Sequence, residues 1–323
     1  VESGEDINTS LDKFERSTEV TEAEEASGTL GEIMSEIFNE VDGGKPIDKT
    51  LTGIPIVDEC TNGLAKGELV TIGAKSGKGK SALAIRMAVN MFRDDKKVLI
   101  VSREMSKKQI GERILLAHSG VTKENYEKRT LSETDWVRIV ETTEAFNTDQ
   151  IIIDDKIATI PEIKQAVRKH KPDMLIVDYV QLLTPTNPRD SRERQVADMS
   201  RELKKMTSDF DMIVVQLTQL AEKGIGNYRP HGESYPRESR AIYHDSNIVI
   251  YVHHVEEEKE IQIAYNSTAV KERMSLHQFE EMLKRFDDND TRLMELIVDK
   301  NRSGTVGSKF YWFSGPEMAY YPI

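Results

Sequence analysis

The chain has 323 residues, enough for one large α/β domain or two ordinary domains with a substantial buried core. Cys60 is the only cysteine, which excludes an internal disulfide, and no apolar run approaches the roughly 20 residues of a membrane span. We therefore expect a soluble, cytoplasmic protein that does not use a membrane. The histidines show no metal-ligand spacing with Cys60, and we interpret the adjacent His253 and His254 as a chance pair.

The net charge of −12 is concentrated at the start of the chain. Residues 1–42 contain 13 acidic residues against only Lys13 and Arg16, and the rest of the chain is close to neutral. Any contact with nucleic acid must therefore be a local basic lining, since the main domain has no overall positive field.

The first predicted elements are a tail and a short helix. Residues 1–28 are rich in Glu, Ser and Thr and predict an acidic, disordered tail. Residues 29–44 predict an amphipathic helix that begins with a Thr29–Glu32 capping box, with Leu30, Ile33, Ile37 and Val41 on one face. Because so short a helix is marginal alone, its apolar face should dock, either on its own domain or on a neighbouring subunit.

Residues 45–323 predict one α/β domain with a mostly parallel central sheet covered by helices on both faces. Apolar runs and helical patterns alternate along it. The predicted strands are Leu69–Gly73, Val98–Ser102, Ile151–Asp154, Met174–Asp178 and Met212–Leu217, and the predicted helices lie near 82–92, 107–118, 161–170 and 193–209. Ligands of such folds bind at the carboxyl ends of the strands.

The last part of the domain predicts an antiparallel extension. Two pairs of strands are expected, Asn247–Val252 with Lys259–Tyr265 and Leu293–Asp299 with Lys309–Phe313, with a helix capped by Ser275 between them. We interpret residues 253–290, which are net acidic, as an elaboration on the sheet.

A phosphate-binding loop is predicted between the first strand and its helix. The stretch Ala74–Ser81 supplies glycines whose backbone N–H groups turn towards phosphate oxygens, Lys80 for the β- and γ-phosphates, and a Ser81 hydroxyl suited to Mg²⁺. The predicted ATP-binding residues are Ser76, Gly77, Lys78, Gly79, Lys80 and Ser81. The alternative is a surface turn rich in Gly and Lys, which the flanking strand and helix make unfavourable.

ATP hydrolysis also needs carboxylates beside the phosphates. Asp178 ends an apolar run and is the candidate Mg²⁺ ligand, although an Asp at a strand end is more often a helix cap. Glu104 ends another run, which we expect to lie one strand from the phosphate loop, so that its carboxylate can orient the attacking water.

Five segments resemble, in order and spacing, the motifs of DnaB-type replicative helicases, whether bacterial or phage. They are Ser102–Ser106, Leu175–Leu183, Val215–Leu220, Arg237–Ser239 with Asp245, and Lys300–Gly304. From about residue 30 the chain is similar to the carboxyl-terminal RecA-like motor of that family, least so across 253–290. The resemblance implies a RecA-like P-loop NTPase fold, with residues 30–42 as a linker helix that packs on the adjacent subunit.

The resemblance also implies roles for single residues. Lys80 and Ser81 would bind phosphate and Mg²⁺, Glu104 would be the general base, Asp178 the metal-shell acid and Gln219 the γ-phosphate sensor. Lys300 and Arg302 would reach the ATP of a neighbouring subunit, with Arg302 as an arginine finger. A finger supplied by a neighbour requires an oligomer, and the family implies a homo-hexameric ring that moves 5′→3′ on DNA.

Single-stranded DNA is the expected partner. Basic residues follow two predicted strand ends, and the resemblance adds a loop that grips the DNA backbone; the candidates are Arg192, Arg194, Lys223, Arg229, Arg237, Glu238 and Arg240. Arg240 stands where the family usually has Gly. Without the resemblance, these charges would be read as solvated surface. A primase and a helicase loader are further expected partners. The alternatives left open are a RecA-like ATPase that does not unwind DNA and a binding protein with an inactive nucleotide site.

Overall fold

The computed structural model describes residues 28–44, 48–220, 229–232, 237–287 and 291–323, apart from the side chains of residues 36, 237–239, 286 and 287. The chain divides into two compact units, Val1–Asp48 and Lys49–Ile323. Almost all of the predicted acidic tail lies outside the described residues.

The first unit contains the predicted amphipathic helix, α1 (Leu30–Asp42). Its capping box forms as expected: the Thr29 side chain accepts from the Glu32 N–H, and Glu32 Oε2 accepts from the Thr29 N–H at 2.7 Å. The apolar stripe is open to solvent, with Phe38 67% and Val41 73% exposed.

In the described part of the second unit, nine strands form one sheet in the order β11-β10-β9-β8-β3-β7-β6-β4-β5. The strands β3 to β8 run parallel to one another, and β9 to β11 add antiparallel strands at the edge formed by β8. A separate pair is formed by β1 (Lys49–Thr50) and β2 (Leu64–Ala65). The strands are β3 (Leu69–Ala74), β4 (Val98–Ser102), β5 (Ile151–Asp154), β6 (Met174–Asp178), β7 (Ile213–Gln219), β8 (Ile248–His254), β9 (Thr291–Asn301), β10 (Gly307–Ser314) and β11 (Ala319–Pro322).

Helices cover both faces of this sheet. They are α2 (Pro55–Thr61), α3 (Lys80–Arg93), α4 (Lys107–Ser119), α5 (Lys123–Lys128), α6 (Glu133–Ala145), α7 (Ile160–His170), α8 (Arg192–Asp209), α9 (Arg237–Asp245), α10 (Glu258–Ser267) and α11 (Leu276–Asp287). The side chains of β3 show how the core divides: Val70 and Ile72 pack with α2 and α3 on one face, and Leu69 packs with α7 and α8 on the other. The predicted fold class and the five predicted parallel strands are confirmed.

One predicted strand is wrong. Residues 259–265 belong to α10. They resembled a strand because their apolar side chains fit a strand period and a helical period at once. Ile261, Ile263 and Tyr265 alternate as in a strand, but Ile261, Ala264 and Tyr265 share a helical face and pack around Phe279, which leaves Ile263 exposed. β8 instead pairs antiparallel with β9 and, on its other side, parallel with β3. The closing hairpin of β9 and β10 and the helix capped by Ser275 are confirmed.

Among the described residues, none of the helices combines the length and the apolar character that crossing a lipid bilayer requires.

Candidate functional site

The loop between β3 and α3 has the backbone of a phosphate cradle. Gly77 and Gly79 have φ values of +68° and +91°, a region that favours glycine. Gly79 is the N-cap of α3 and has no side chain to occupy the first-turn N–H groups of the helix. These donors, and the positive end of the helix dipole, are therefore available to an anion. Of the remaining predicted residues, Ser76 and Lys78 lie in the loop, and Lys80 and Ser81 begin α3.

Lys80 is a buried residue at the centre of a cluster at the carboxyl edge of the sheet. Its Nζ atom lies 2.5 Å from Glu104 Oε2, 3.9 Å from Asp178 Oδ1, and 4.6 Å from the centre of the Tyr179 ring. Lys80 is only 4% exposed. The structure therefore brings together three of the residues that the sequence predicted for ATP hydrolysis.

The predicted place of Glu104 in the sheet is wrong. Its strand, β4, is separated from β3 by both β7 and β6, because the spatial order of the strands differs from their order in the chain. Glu104 nevertheless reaches Lys80, since the chain after β4 stays attached to the end of β6 through the Arg103 N–H, which donates to the Asp178 carbonyl oxygen at 2.7 Å.

Asp178 is a buried carboxylate with an unsatisfied oxygen. Burial raises the pKa of Asp178, and the hydrogen bond from Ser81 and the charge of Lys80 offset part of this effect. Its Oδ1 atom is buried and has no hydrogen-bond partner in the described part of the protein. Mg²⁺ binds such oxygens and usually takes only one or two protein ligands, completed by phosphates and water. Asp178 and Ser81 thus fit a Mg²⁺ ion that is bound together with a nucleotide, and no cluster of three or more ligating residues occurs in the described residues.

Gln219 lies beside the phosphate loop, because it pairs with Ala74 where β7 and β3 end. Gln181 joins this position to the Asp178 loop: its Nε2 atom donates to Thr218 Oγ1 at 2.7 Å and to the Gln219 carbonyl oxygen at 3.4 Å. Sequence reasoning used Gln181 only as part of a motif, and the structure gives it a connecting position.

A second cluster contacts the phosphate loop from the end of β8. Lys78 Nζ lies 2.5 Å from Glu256 Oε1 and 2.8 Å from His254 Nδ1. Burial would raise the pKa of Glu256, but the hydrogen bond from Lys78 and the charge of His254 outweigh it and lower that pKa. His253 pairs separately with Glu260 at 2.9 Å. Local spacing could not reveal these contacts, because Lys78 and His254 are far apart in the sequence.

Lys300 and Arg302 lie away from the phosphate loop of their own chain. Lys300 pairs with Val249 near the amino end of β8, whereas the loop follows the carboxyl end of β3. Both cations contact the end of α9: Lys300 Nζ donates to the Tyr243 and His244 carbonyl oxygens at 2.6 and 3.1 Å, and Arg302 Nη2 donates to the His244 carbonyl oxygen at 2.8 Å.

The predicted DNA-binding residues occupy different environments. Arg194, in the first turn of α8, has a side chain that is 71% exposed, and Arg192 beside it donates to the Gln181 carbonyl oxygen. Arg240 is exposed on α9. Arg229 instead forms a two-point ion pair with the buried Glu295, at 2.7 and 2.8 Å.

The other three predicted DNA-binding residues are described incompletely or not at all. Lys223 lies outside the described residues. Arg237 and Glu238 begin α9, but their side chains lie outside the described part.

A parallel sheet with a glycine loop, a buried lysine and acids at the carboxyl ends of other strands of the sheet is the arrangement of a RecA-like P-loop fold. Residues 50–320 match the family model of the DnaB-like helicase C terminal domain, so the chain belongs to that family.

Two relatives are the replicative DNA helicases DnaB of Leifsonia xyli and Helicobacter pylori. The first is 31% identical over 241 residues, covering 69% of this chain and 51% of the relative. The second is 26% identical over 298 residues, covering 87% of this chain and 61% of the relative. This chain therefore spans between half and two thirds of the length of these relatives.

Two solved structures show the same fold. An ATPase domain superposes with a TM-score of 0.74 and 24% identity, covering 92% of this chain and 99% of that one. A DnaB-like replicative helicase, studied for its interactions with primase, gives a TM-score of 0.71 and 24% identity, covering 95% and 71%.

Proposed function

We propose that this chain is the motor domain of an ATP-dependent replicative DNA helicase, which moves 5′→3′ on single-stranded DNA as a homo-hexameric ring. The observation that carries this proposal is the cluster of Lys80, Glu104, Asp178 and Ser81 around the phosphate loop, in a chain of the DnaB-like family. The direction of movement and the number of subunits come from the family likeness.

The first chemical step is an exchange of partners at Lys80. In the structure, its ammonium group pairs with Glu104. The β- and γ-phosphates of ATP would draw Lys80 to themselves, which leaves the Glu104 carboxylate free to orient a water molecule towards the γ-phosphate. Mg²⁺, held by Ser81 and the unsatisfied oxygen of Asp178, would neutralise charge that develops on the phosphates.

Gln219 is proposed as the γ-phosphate sensor. It ends β7 beside the loop, and the chain that follows β7 leads to the candidate DNA-binding segment. A change at Gln219 would therefore pass directly to that segment, and Gln181 would hold the Gln219 backbone against the Asp178 loop.

An oligomer is proposed because one chain cannot complete the site. Lys300 and Arg302 are level with the amino end of β8, so they would act on the ATP of a neighbouring copy, Arg302 as the arginine finger. Two apolar surfaces support assembly. One is the stripe of α1, and the other is the exposed face of α6, where Trp136 and Val137 are 57% and 56% exposed. We propose that α1, the linker helix of residues 29–44, packs on the next subunit.

Single-stranded DNA would be held through its phosphates by exposed cations. Arg194 and Arg240 are exposed and are proposed to contact DNA phosphates. Arg192, Lys223, Arg237 and Glu238 are proposed through the likeness to the family. Arg229 is better explained as an anchor of its segment, because its guanidinium is already paired with Glu295. Primase and a helicase loader are proposed partners in the cytoplasm.

The proposal is tested by ATP hydrolysis with and without single-stranded DNA, and by strand separation on a forked duplex. Wild type should do both, and Lys80→Ala and Glu104→Gln should lose both. Lys108→Ala, which removes a lysine that is 82% exposed on α4, is the matched control and should behave as wild type. Unwinding by Lys80→Ala would refute the mechanism. Hydrolysis by wild type without unwinding would favour the alternative of a RecA-like ATPase that does not unwind.

A further inference from the structure

Strand β9 holds both described pieces of the chain that joins β7 to β8. In residues 229–232, Arg229 pairs with Glu295, and the Gly232 N–H donates to Asp299 Oδ2 at 2.8 Å. In α9, the Tyr243 hydroxyl donates to the same Asp299 oxygen at 3.1 Å. One carboxylate oxygen of β9 thus ties together two places in the segment that is proposed to grip DNA.

The carboxyl end of α9 depends on the next residues of β9. The last carbonyl groups of a helix lack partners within the helix and carry partial negative charge. Here the carbonyl oxygens of Tyr243 and His244 accept hydrogen bonds from Lys300 and Arg302. The two cations proposed to act on a neighbour's ATP therefore already have hydrogen-bond acceptors in their own subunit.

A β-bulge explains why neighbouring residues of β9 can reach the same helix. Val249 pairs with Lys300 and Ile250 pairs with Val298, which leaves Asp299 as the extra residue of β9. A bulge of this kind redirects side chains that would otherwise point to opposite faces of the sheet. Consistent with this, Asp299 and Lys300 both contact Tyr243, the first at its hydroxyl and the second at its carbonyl oxygen.

We propose that β9 couples the nucleotide at the subunit interface to the DNA-binding segment, with Asp299 and Tyr243 as positioning residues. Lys300 and Arg302 exchange the carbonyl oxygens of α9 for the phosphate oxygens of the neighbour's ATP, and Asp299 transmits the resulting movement of β9 to Tyr243 and Gly232. This inference rests on the proposed function, because it needs the two cations to meet a neighbour's nucleotide.

The coupling has a measurable form. If an ATP analogue changes the affinity for single-stranded DNA by some factor, DNA must change the affinity for the analogue by the same factor. Removing the Asp299–Tyr243 contact should reduce that factor. It should leave hydrolysis without DNA intact, since neither side chain is among those proposed to contact phosphate or Mg²⁺.

The test uses the full chain and a labelled oligothymidylate. Its dissociation constant is measured with a non-hydrolysable ATP analogue and with ADP, and the ratio of the two constants is compared between proteins. Tyr243→Phe removes only the hydroxyl that bonds Asp299. Tyr321→Phe is the matched control, because it removes a hydroxyl on β11 that also donates to a carboxylate, that of Glu317 at 2.6 Å. Asp299→Ala removes the carboxylate, and Asp299→Asn keeps an acceptor oxygen.

We expect the ratio of wild type to persist in Tyr321→Phe and to fall at least about fivefold in Tyr243→Phe and Asp299→Ala, with partial rescue in Asp299→Asn. Hydrolysis without DNA should stay within about twofold of wild type in Tyr243→Phe, a separation that a general loss of structure would not give. A wild-type ratio in Tyr243→Phe would overturn the coupling and leave the proposed function standing. Wild type without DNA-stimulated hydrolysis would overturn both.

Discussion

The ion pair between Arg229 and Glu295 decides whether Arg229 anchors its segment or contacts DNA. The Glu295 side chain is 4% exposed, and it accepts two hydrogen bonds from Arg229 and one from the Ser308 hydroxyl at 2.5 Å. Arg229→Met keeps much of the aliphatic chain and removes the guanidinium. In this variant the buried Glu295 carboxylate loses both hydrogen bonds from Arg229 and keeps the one from Ser308.

The expected loss follows from this geometry. Removing one partner of a buried ion pair costs about 3–5 kcal/mol, because the other charge remains buried. The Arg229 side chain is 46% exposed, so water can reach part of the vacated space and the loss should be about 2–3 kcal/mol. Adding Glu295→Gln removes the stranded charge, and the double variant should regain more than about 1 kcal/mol over Arg229→Met.

Urea unfolding measures this double-mutant cycle at pH 7 and one protein concentration. The four proteins are wild type, Arg229→Met, Glu295→Gln and the double variant. A loss below about 0.5 kcal/mol in Arg229→Met, or a double variant no more stable than Arg229→Met, would refute the anchor role. The salt dependence of DNA binding gives a second criterion. If a residue neutralises a DNA phosphate, removing it lowers the slope of log affinity against log salt concentration by about 1. Removing an anchor leaves that slope unchanged.

Two further predictions concern the nucleotide site. Asp178→Asn should abolish ATP hydrolysis and yet raise the melting temperature of the nucleotide-free protein at pH 7. Because burial raises the pKa of Asp178, its ionised form destabilises the fold. The difference from wild type should be fully present above the folded pKa and should shrink as the pH falls from the folded pKa towards the unfolded pKa. Glu256→Gln should bind ADP several-fold more tightly than wild type in a fluorescence titration, since it releases Lys78 and removes a negative charge beside the phosphates; Glu317→Gln is the control, and unchanged affinity would contradict the prediction.

The parallel core could be predicted from the sequence because its strands are buried on both faces. Met174–Asp178 and Val98–Ser102 are continuous apolar runs, and they appear as strands with the predicted bounds. Residues 259–265 could not be assigned in the same way, since their pattern fits both a strand and a helix, and the packing of Ala264 on Phe279 decides between them. That packing is a tertiary contact, which no local period contains.

The residues of the candidate site also differ in whether a local sequence pattern can predict their positions. Lys80 and Ser81 follow from a local motif, and the place of Asp178 follows from the end of its strand. The order of the strands in the sheet is not a local property. The predicted position of Glu104, one strand from the loop, is therefore wrong, although Glu104 does contact Lys80. His254 and Glu256 carry no local signal, because their tie to Lys78 arises only where β8 lies next to β3.

The two halves of the proposed ATP site lie at different levels of one sheet, and this geometry suits a head-to-tail contact between copies. Ala74 pairs with Val252, whereas Lys300 pairs with Val249, three residues earlier along β8, a displacement of about 10 Å along the strand at the usual rise. Lys300 and Arg302 also contact α9, away from the loop. Each copy thus presents a loop and two cations at different places, so the proposed contact between copies would be head-to-tail. A head-to-tail contact that closes produces a ring, in which the site between each pair of neighbours combines one loop with one pair of cations.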